Sequence, residues 1–172
     1  MAVLQKVLQW LPDAIQWGRQ TGLPPALVLA VIHQESGGNP NAFRHEPDFY
    51  TSNLLTNPTW QRRMKDNGWG PRDISSSYGL MQLLFTTAYG YGCRTPSQLY
   101  TPNYAVRLGC AHLSSIKKHL DTLQEVLATY NGGFKGALDW RNGNDTAPVR
   151  YVKNVISLRD QYERHLTSDG AV

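Results

Sequence analysis

The chain has 172 residues, 41% hydrophobic and 17% charged, with a formal net charge of +4 and a sequence pI near 9.1. That is enough for one compact domain with a real core and too few for two ordinary ones, and the balance excludes a disordered chain. No apolar run is long enough to span a bilayer, and the mild, scattered basicity is compatible with nucleic acid, an anionic cell wall or plain solubility.

The opening segment, Met1 to Lys6, lacks the basic, apolar, then small-residue order of a secretory signal, so any export is expected to use another route or an already processed chain. Val3, Leu4, Val7, Leu8, Leu11, Ala14 and Ile15 recur at helical spacing through Trp17, with Pro12 inside the run. This predicts an amphipathic first helix packed on the core; attachment to a membrane surface would need a basic face that is missing. Thr21-Gly22 breaks the chain, and Pro24-Pro25 opens a second helix, where the first-turn N–H groups have no partner to lose.

That second helix carries the apolar run Val28 to Ile32 and ends at Glu35, before Ser36, Gly37, Gly38, Asn39 and Pro40 break it. A carboxyl at the negative end of a helix, beside apolar neighbours, has its pKa raised by the dipole and by desolvation. A carboxylic acid still protonated near neutral pH is what general-acid cleavage of a glycosidic bond requires. The plainer reading is a surface glutamate at a helix edge, and this stretch alone leaves both open.

Asn41 to Ser77 is irregular, rich in proline, glycine and aromatics, and is expected to form one wall of a cleft, with a short helix near Asn57 to Asp66. Ser75-Ser76-Ser77 is expected to cap a helix over Tyr78 to Tyr89. Further helices are predicted over Asn103 to Leu120, Asp121 to Tyr130 (interrupted at Asn131-Gly132-Gly133) and Ala147 to His165. No run shows convincing strand alternation, which gives a mainly α domain, with room for a small hairpin within Asn41 to Ser77. Cys93 and Cys110 are either two buried thiols or one short-loop disulfide. His33, His45, His112, His119 and His165 lack metal-ligand spacing, so neither a metal nor a cofactor is expected.

Four segments in order carry the functional signal: Glu35-Ser36-Gly37-Gly38-Asn39-Pro40, Ser77-Tyr78-Gly79-Leu80-Met81-Gln82, Ala128-Thr129-Tyr130-Asn131-Gly132-Gly133, and Tyr151 to Val155. The series resembles the soluble lytic transglycosylases, lysozyme-like family 23 glycoside hydrolases that cleave peptidoglycan, over Leu23 to Val155. The resemblance implies a single SLT-type lysozyme-like domain over 1–172, with its motif-bearing core at 23–166 and a substrate groove. It implies Glu35 as the catalytic acid, with Ser36, Ser77, Met81, Gln82, Tyr130, Asn131 and Tyr151 binding substrate. Taken singly, Met81, Tyr130 and Tyr151 also fit a plain core role.

By the same resemblance, Glu35 protonates the oxygen between N-acetylmuramic acid and N-acetylglucosamine, then takes the C6 hydroxyl proton as a 1,6-anhydro ring closes. The alternative is a goose-type hydrolytic lysozyme, for which Asp73 or Glu46 (or Asp48) would be the second carboxylate. A non-enzymatic alternative is an inactive glycan-binding relative. The insert Arg44-His45-Glu46-Pro47 is similar to an Arg-aromatic-Glu-Pro segment of phage and prophage members, which implies a wall-lysing enzyme made without a signal. Peptidoglycan strands are the implied partner, with no nucleic acid, no membrane insertion and a monomeric chain.

Overall fold

The computed structural model describes residues 2–168, so the expected 1–172 span runs past it at Met1 and at 169–172, and the Val3 side chain is likewise outside the described part. Ten α-helices and a three-stranded sheet are the main elements among the described residues. The expected first helix is two: α1 (Ala2–Leu8) and α2 (Leu11–Thr21). Pro12 sits in the first turn of α2, where its missing N–H costs nothing, so the proline starts a helix instead of kinking one. Gly22, at φ 68°, closes α2, and α3 (Pro25–Ser36) begins at the expected diproline.

α3 is the centre of the molecule. Every residue from Ala26 to Ile32 is buried, so the helix has no polar stripe and is sheathed on all sides. Its full burial of Leu27, Leu29 and Ile32 stabilises by about 1.5–3 kcal/mol each relative to exposure. α10 (Ala147–Ser168) packs along it and also contacts α9 (Leu123–Arg141), while α2 contacts both α3 and α8 (Pro102–Lys117).

The irregular region is built of short pieces. β1 (Phe43–His45) is followed by α4 (Pro47–Phe49), which runs on as a π-helical turn over Tyr50–Leu54, then α5 (Pro58–Asn67) and α6 (Pro71–Ile74). α5 matches the expected short helix, capped by the Asn57 side chain on Thr59 and Trp60 N–H groups. A second core gathers here, with Trp60, Ile74, Tyr78, Phe85 and Leu99 among its members.

The segment expected as a helix over Tyr78 to Tyr89 is mostly something else. β2 (Ser76–Tyr78) pairs antiparallel with β1, a turn follows, β3 (Leu83–Leu84) pairs back onto β2, and only α7 (Phe85–Gly90) is helical. The serines do not cap forward: Ser75 and Ser76 donate to the carbonyls of Pro71 and Arg72, four residues back. The turn needs Gly79 at φ 72° and holds Gln82 at φ 45°, both incompatible with a right-handed helix. A Cβ on Gly79 would lie 2.0 Å from the Leu99 carbonyl oxygen, so the glycine also admits the turn of 3₁₀ helix at Pro96–Tyr100.

α9 kinks at Gly132 (φ −125°) and Gly133 (φ 63°), as the break at these residues implies, but it resumes and reaches Arg141. Cys93 and Cys110 are both buried free thiols.

Candidate active site

A groove of about 590 Å³ opens beside the C-terminus of α3, and Tyr130 on its wall packs against both hydrophobic cores. Glu35 lies in the groove on the last turn of α3. Its backbone exit is fixed locally: Gly37, at φ 57°, donates to His33 O, and the next glycine passes directly under α1. A Cβ on Gly38 would meet the Lys6 carbonyl oxygen at 2.9 Å, and the Trp10 indole N–H donates to Gly38 O at 3.1 Å. The α1–α2 junction thus clamps the turn that presents the acid.

Burial pushes the Glu35 carboxyl up to about 7, against the opposing pull of the Tyr151 hydroxyl and of Arg44, with Glu46 adding to the rise. Glu35 keeps an accessible edge despite this desolvation. The Tyr151 hydroxyl has no hydrogen bond of good geometry, yet it stands close enough to Glu35 to favour the ionised form. Tyr130 and Tyr151 are both held well above the ordinary tyrosine range by burial first and then by the Glu35 charge. Both hydroxyls therefore remain protonated donors beside the acid.

The Gly79 to Gln82 turn forms the floor. Ser36 Oγ donates to Leu80 O at 2.8 Å, with Ile32 O within 3.1 Å, and Tyr130 Oη donates to Met81 O at 2.8 Å. Three sequence motifs therefore meet at two backbone carbonyls. The Met81 side chain is fully buried and lies over Gly109 of α8, where a Cβ would come within 2.2 Å of its sulfur. Neither Met81 nor the Ser36 hydroxyl lines the groove; they hold the floor to the walls. Gln82 lines it with its amide nitrogen donating to Gly79 O at 3.0 Å, and Asn131 lines it as an exposed side chain.

The two residues expected as second carboxylates part company. Glu46 lines the groove, but its Oε1 accepts from Arg44 Nε and Nη2 and, at 2.9 Å, from Ser77 Oγ. Asp73 is elsewhere: its Oδ2 accepts from Gly70 N–H at 2.7 Å, capping α6, and it borders a separate cavity. Its six-residue separation from Gly79 could not reveal that a strand would carry the chain away in between. Asp48, although in the same insert as Glu46, is not on the groove.

The far wall lies outside every motif singled out in the sequence. His112, Ser115 and Ile116 come from one face of α8 and His119 from the turn just past its end, and their i, i+3, i+4, i+7 spacing is the available signal. The His112 ring packs at a tilt against Tyr130, 5.4 Å between centroids, and hydrogen-bonds Tyr91 at 3.2 Å, while burial lowers its pKa to about 4, leaving it neutral. Phe134, 68% exposed just past the α9 kink, also lines the groove. Among the described residues no three His, Cys, Asp or Glu side chains converge as a metal site requires.

A mainly helical domain with a desolvated carboxylic acid in an open groove, near two protonated tyrosines, is a lysozyme-like domain. The chain belongs to the transglycosylase SLT domain family, which matches residues 13–152. It is also similar to the solved structure of an inactive mutant of the lytic transglycosylase Slt from Pseudomonas aeruginosa. That match has a TM-score of 0.64 and 21% identity over 91% of this chain and 24% of the other. The chain therefore spans about a quarter of that protein's length, and the likeness is one of fold.

Proposed function

We propose that the protein is a peptidoglycan lytic transglycosylase that cleaves the β-1,4 bond between N-acetylmuramic acid and N-acetylglucosamine. The observation that carries this reading is Glu35, set in the groove with Tyr130 on its wall, coupled to buried Tyr151, and desolvated until its carboxyl titrates near 7. The protonated carboxyl gives its proton to the glycosidic oxygen as the bond to the muramic C1 breaks. The muramic acetamido oxygen stabilises the cationic C1. The Glu35 carboxylate then takes the proton from the C6 hydroxyl, whose oxygen bonds to C1 and closes the 1,6-anhydro ring. Glu35 ends protonated as it began, and no water is consumed. The Tyr151 hydroxyl, close enough to favour the carboxylate, supports the ionised half of this cycle. Gln82 and Asn131 are two of the polar groups on the groove that hold the sugars, and Ser36, Ser77, Met81 and Tyr130 act by fixing the floor and wall.

A hydrolytic lysozyme is the second reading, and the presence of Glu46 on the groove favours it. Arg44 and Ser77 both hold Oε1 of Glu46, however, which leaves only Oε2 to take a proton from water. Mass spectrometry of digested sacculi separates the two readings. Transglycosylation leaves anhydromuramic ends, one water lighter than the reducing ends of hydrolysis, and a digest dominated by reducing ends would overturn the first reading. The Arg44 to Pro47 insert supports a phage or prophage origin and a role in lysing the host wall. A lysis assay from within an expressing cell, with and without a membrane-permeabilising partner, tests that role.

A further inference from the structure

The three-stranded sheet has two working faces. In the β1–β2 register Arg44 opposes Ser77, and both line the active groove; Phe43 opposes Tyr78, and both line a second cavity of about 550 Å³. This cavity contains no part of the catalytic machinery. We propose that it is a second glycan-binding site, which takes a β-1,4-linked N-acetylhexosamine segment of the same polymer that enters the groove. The proposal rests on the peptidoglycan reading above.

A sugar ring offers an apolar C–H face and a polar rim, and an N-acetyl group adds a methyl and an amide. The cavity matches that mixture. Its apolar surface is aromatic: Phe43, Tyr78 and Tyr100 form an edge-to-face series with centroids 5.3 and 5.6 Å apart, and Trp69 stands beside them. Phe43 is 37% exposed, an unusual state for a phenylalanine on a three-residue strand. Tyr78 is locked by donating to Asp73 O at 2.9 Å, so the aromatic wall is already formed before any ligand arrives.

Polar groups border that wall on two sides. Thr95 and Ser97 present hydroxyls 3.1 Å apart at the start of the 3₁₀ turn, and Asp73 offers the carboxylate oxygen that Gly70 does not occupy. The Arg72 guanidinium lies over the Phe43 ring at 4.8 Å. It supplies donors for acetamido carbonyls and a charge complementary to the carboxylates of muramyl peptides. A pocket of this size with aromatic walls and a few convergent polar groups is the usual form of a small-ligand site. On an insoluble polymer, a second foothold retains the enzyme beside fresh bonds without altering the chemistry at Glu35.

The test uses the full chain carrying Glu35→Gln, so that ligand is not consumed, titrated with a chitin tetrasaccharide and followed by amide chemical shifts. Two perturbed sets are expected, one around Gln82 and Asn131 and one around Ser97 and Tyr100. Phe43→Ala and the cavity-filling Ser97→Trp, each checked for native circular dichroism, should abolish only the second set. In the otherwise wild-type chain the same changes should slow turnover of insoluble sacculi, on the order of tenfold, and leave cleavage of a short soluble muropeptide unchanged. Shifts confined to the groove would overturn the second site and leave the proposed function standing. No shifts at either place would overturn both.

Discussion

Replacing Glu35 by glutamine should make the protein more stable in alkali while removing its activity. Burial raises this carboxyl from an ordinary value of 4.5 to about 7 in the folded state. Below pH 4.5 it is protonated whether the chain is folded or not, and it contributes nothing unfavourable. As pH rises from 4.5 to 7 the unfolded chain loses the proton while the folded chain keeps it, so stability falls through that window and the full cost is present above 7. A shift of about 2.5 units corresponds to about 3 kcal/mol, a ceiling because the residue keeps an accessible edge. Glutamine keeps the shape and removes the titration. Urea unfolding of both proteins at about pH 4 and about pH 8.5 should give nearly equal stabilities in acid. In alkali the variant should be ahead by up to about 3 kcal/mol, or roughly 10 °C in Tm. Wall turbidity should stop falling with the variant at every pH, and with the wild type it should fall more slowly above about pH 7. A stability difference that is the same at both pH values would refute the reasoning, because it would mean that Glu35 titrates normally. Lysis by the variant near the wild-type rate would mean that another residue is the acid.

Gly79→Ala should cost about 3 kcal/mol or more in thermal unfolding, since it adds a Cβ 2.0 Å from a backbone oxygen at a left-handed φ. Asp73→Ala should remove the α6 cap at a cost of about 1 kcal/mol in a urea melt. It should also leave the lysis rate within a few-fold of wild type, whereas a general base would be worth on the order of a hundredfold or more. Tyr130→Phe should cost about 1 kcal/mol through the lost bond to Met81 O, and kcat should fall more than KM rises. The imidazole NMR signals of His112 should show no titration between about pH 5.5 and 8, because burial holds its pKa at about 4.

What can be read from the sequence divides along a physical line. Helices carried by dense local signals, such as the diproline start and apolar run of α3 or the Asn57 cap of α5, fall where their residues imply. The Ser75 to Leu84 segment does not, because its strand pairings are long-range: β2 is defined by its partner more than thirty residues upstream, and three consecutive serines look the same in a cap and on a buried strand. Motif order brings Glu35, Gln82, Tyr130, Asn131 and Tyr151 to one place. It cannot separate side chains that face the groove from those that brace it, because Met81 and Gln82 are adjacent and the difference is one φ angle. The α8 wall is hidden for another reason. A stripe of His112, Ser115 and His119 looks like an ordinary solvated helix face until a second wall is known to stand opposite.

The proposed mechanism asks one carboxyl to serve as both acid and base, and the bracing residues bear on how it would do so. Its pKa has to sit between the two roles, high enough to hold a proton and low enough to give it up. That value is a balance of opposing influences at fixed distances: desolvation and Glu46 raise it, and Tyr151 and Arg44 lower it. Each influence is anchored by something other than Glu35. Arg44 and Ser77 hold Glu46, the sheet register holds Arg44 opposite Ser77, and α10 carries Tyr151 along the flank of α3. Leu80 O and Met81 O tie Ser36 and Tyr130 to one turn, so the acid and the facing tyrosine cannot drift apart independently. In this design the Gly79 to Gln82 turn acts through its carbonyl oxygens more than through its side chains. The same turn holds Gln82 at a positive φ, a conformation that costs energy and is kept by the surrounding structure. Loosening any anchor alters the balance before it touches a reacting atom, so rate loss without lost substrate contacts is the expected mark of this second layer.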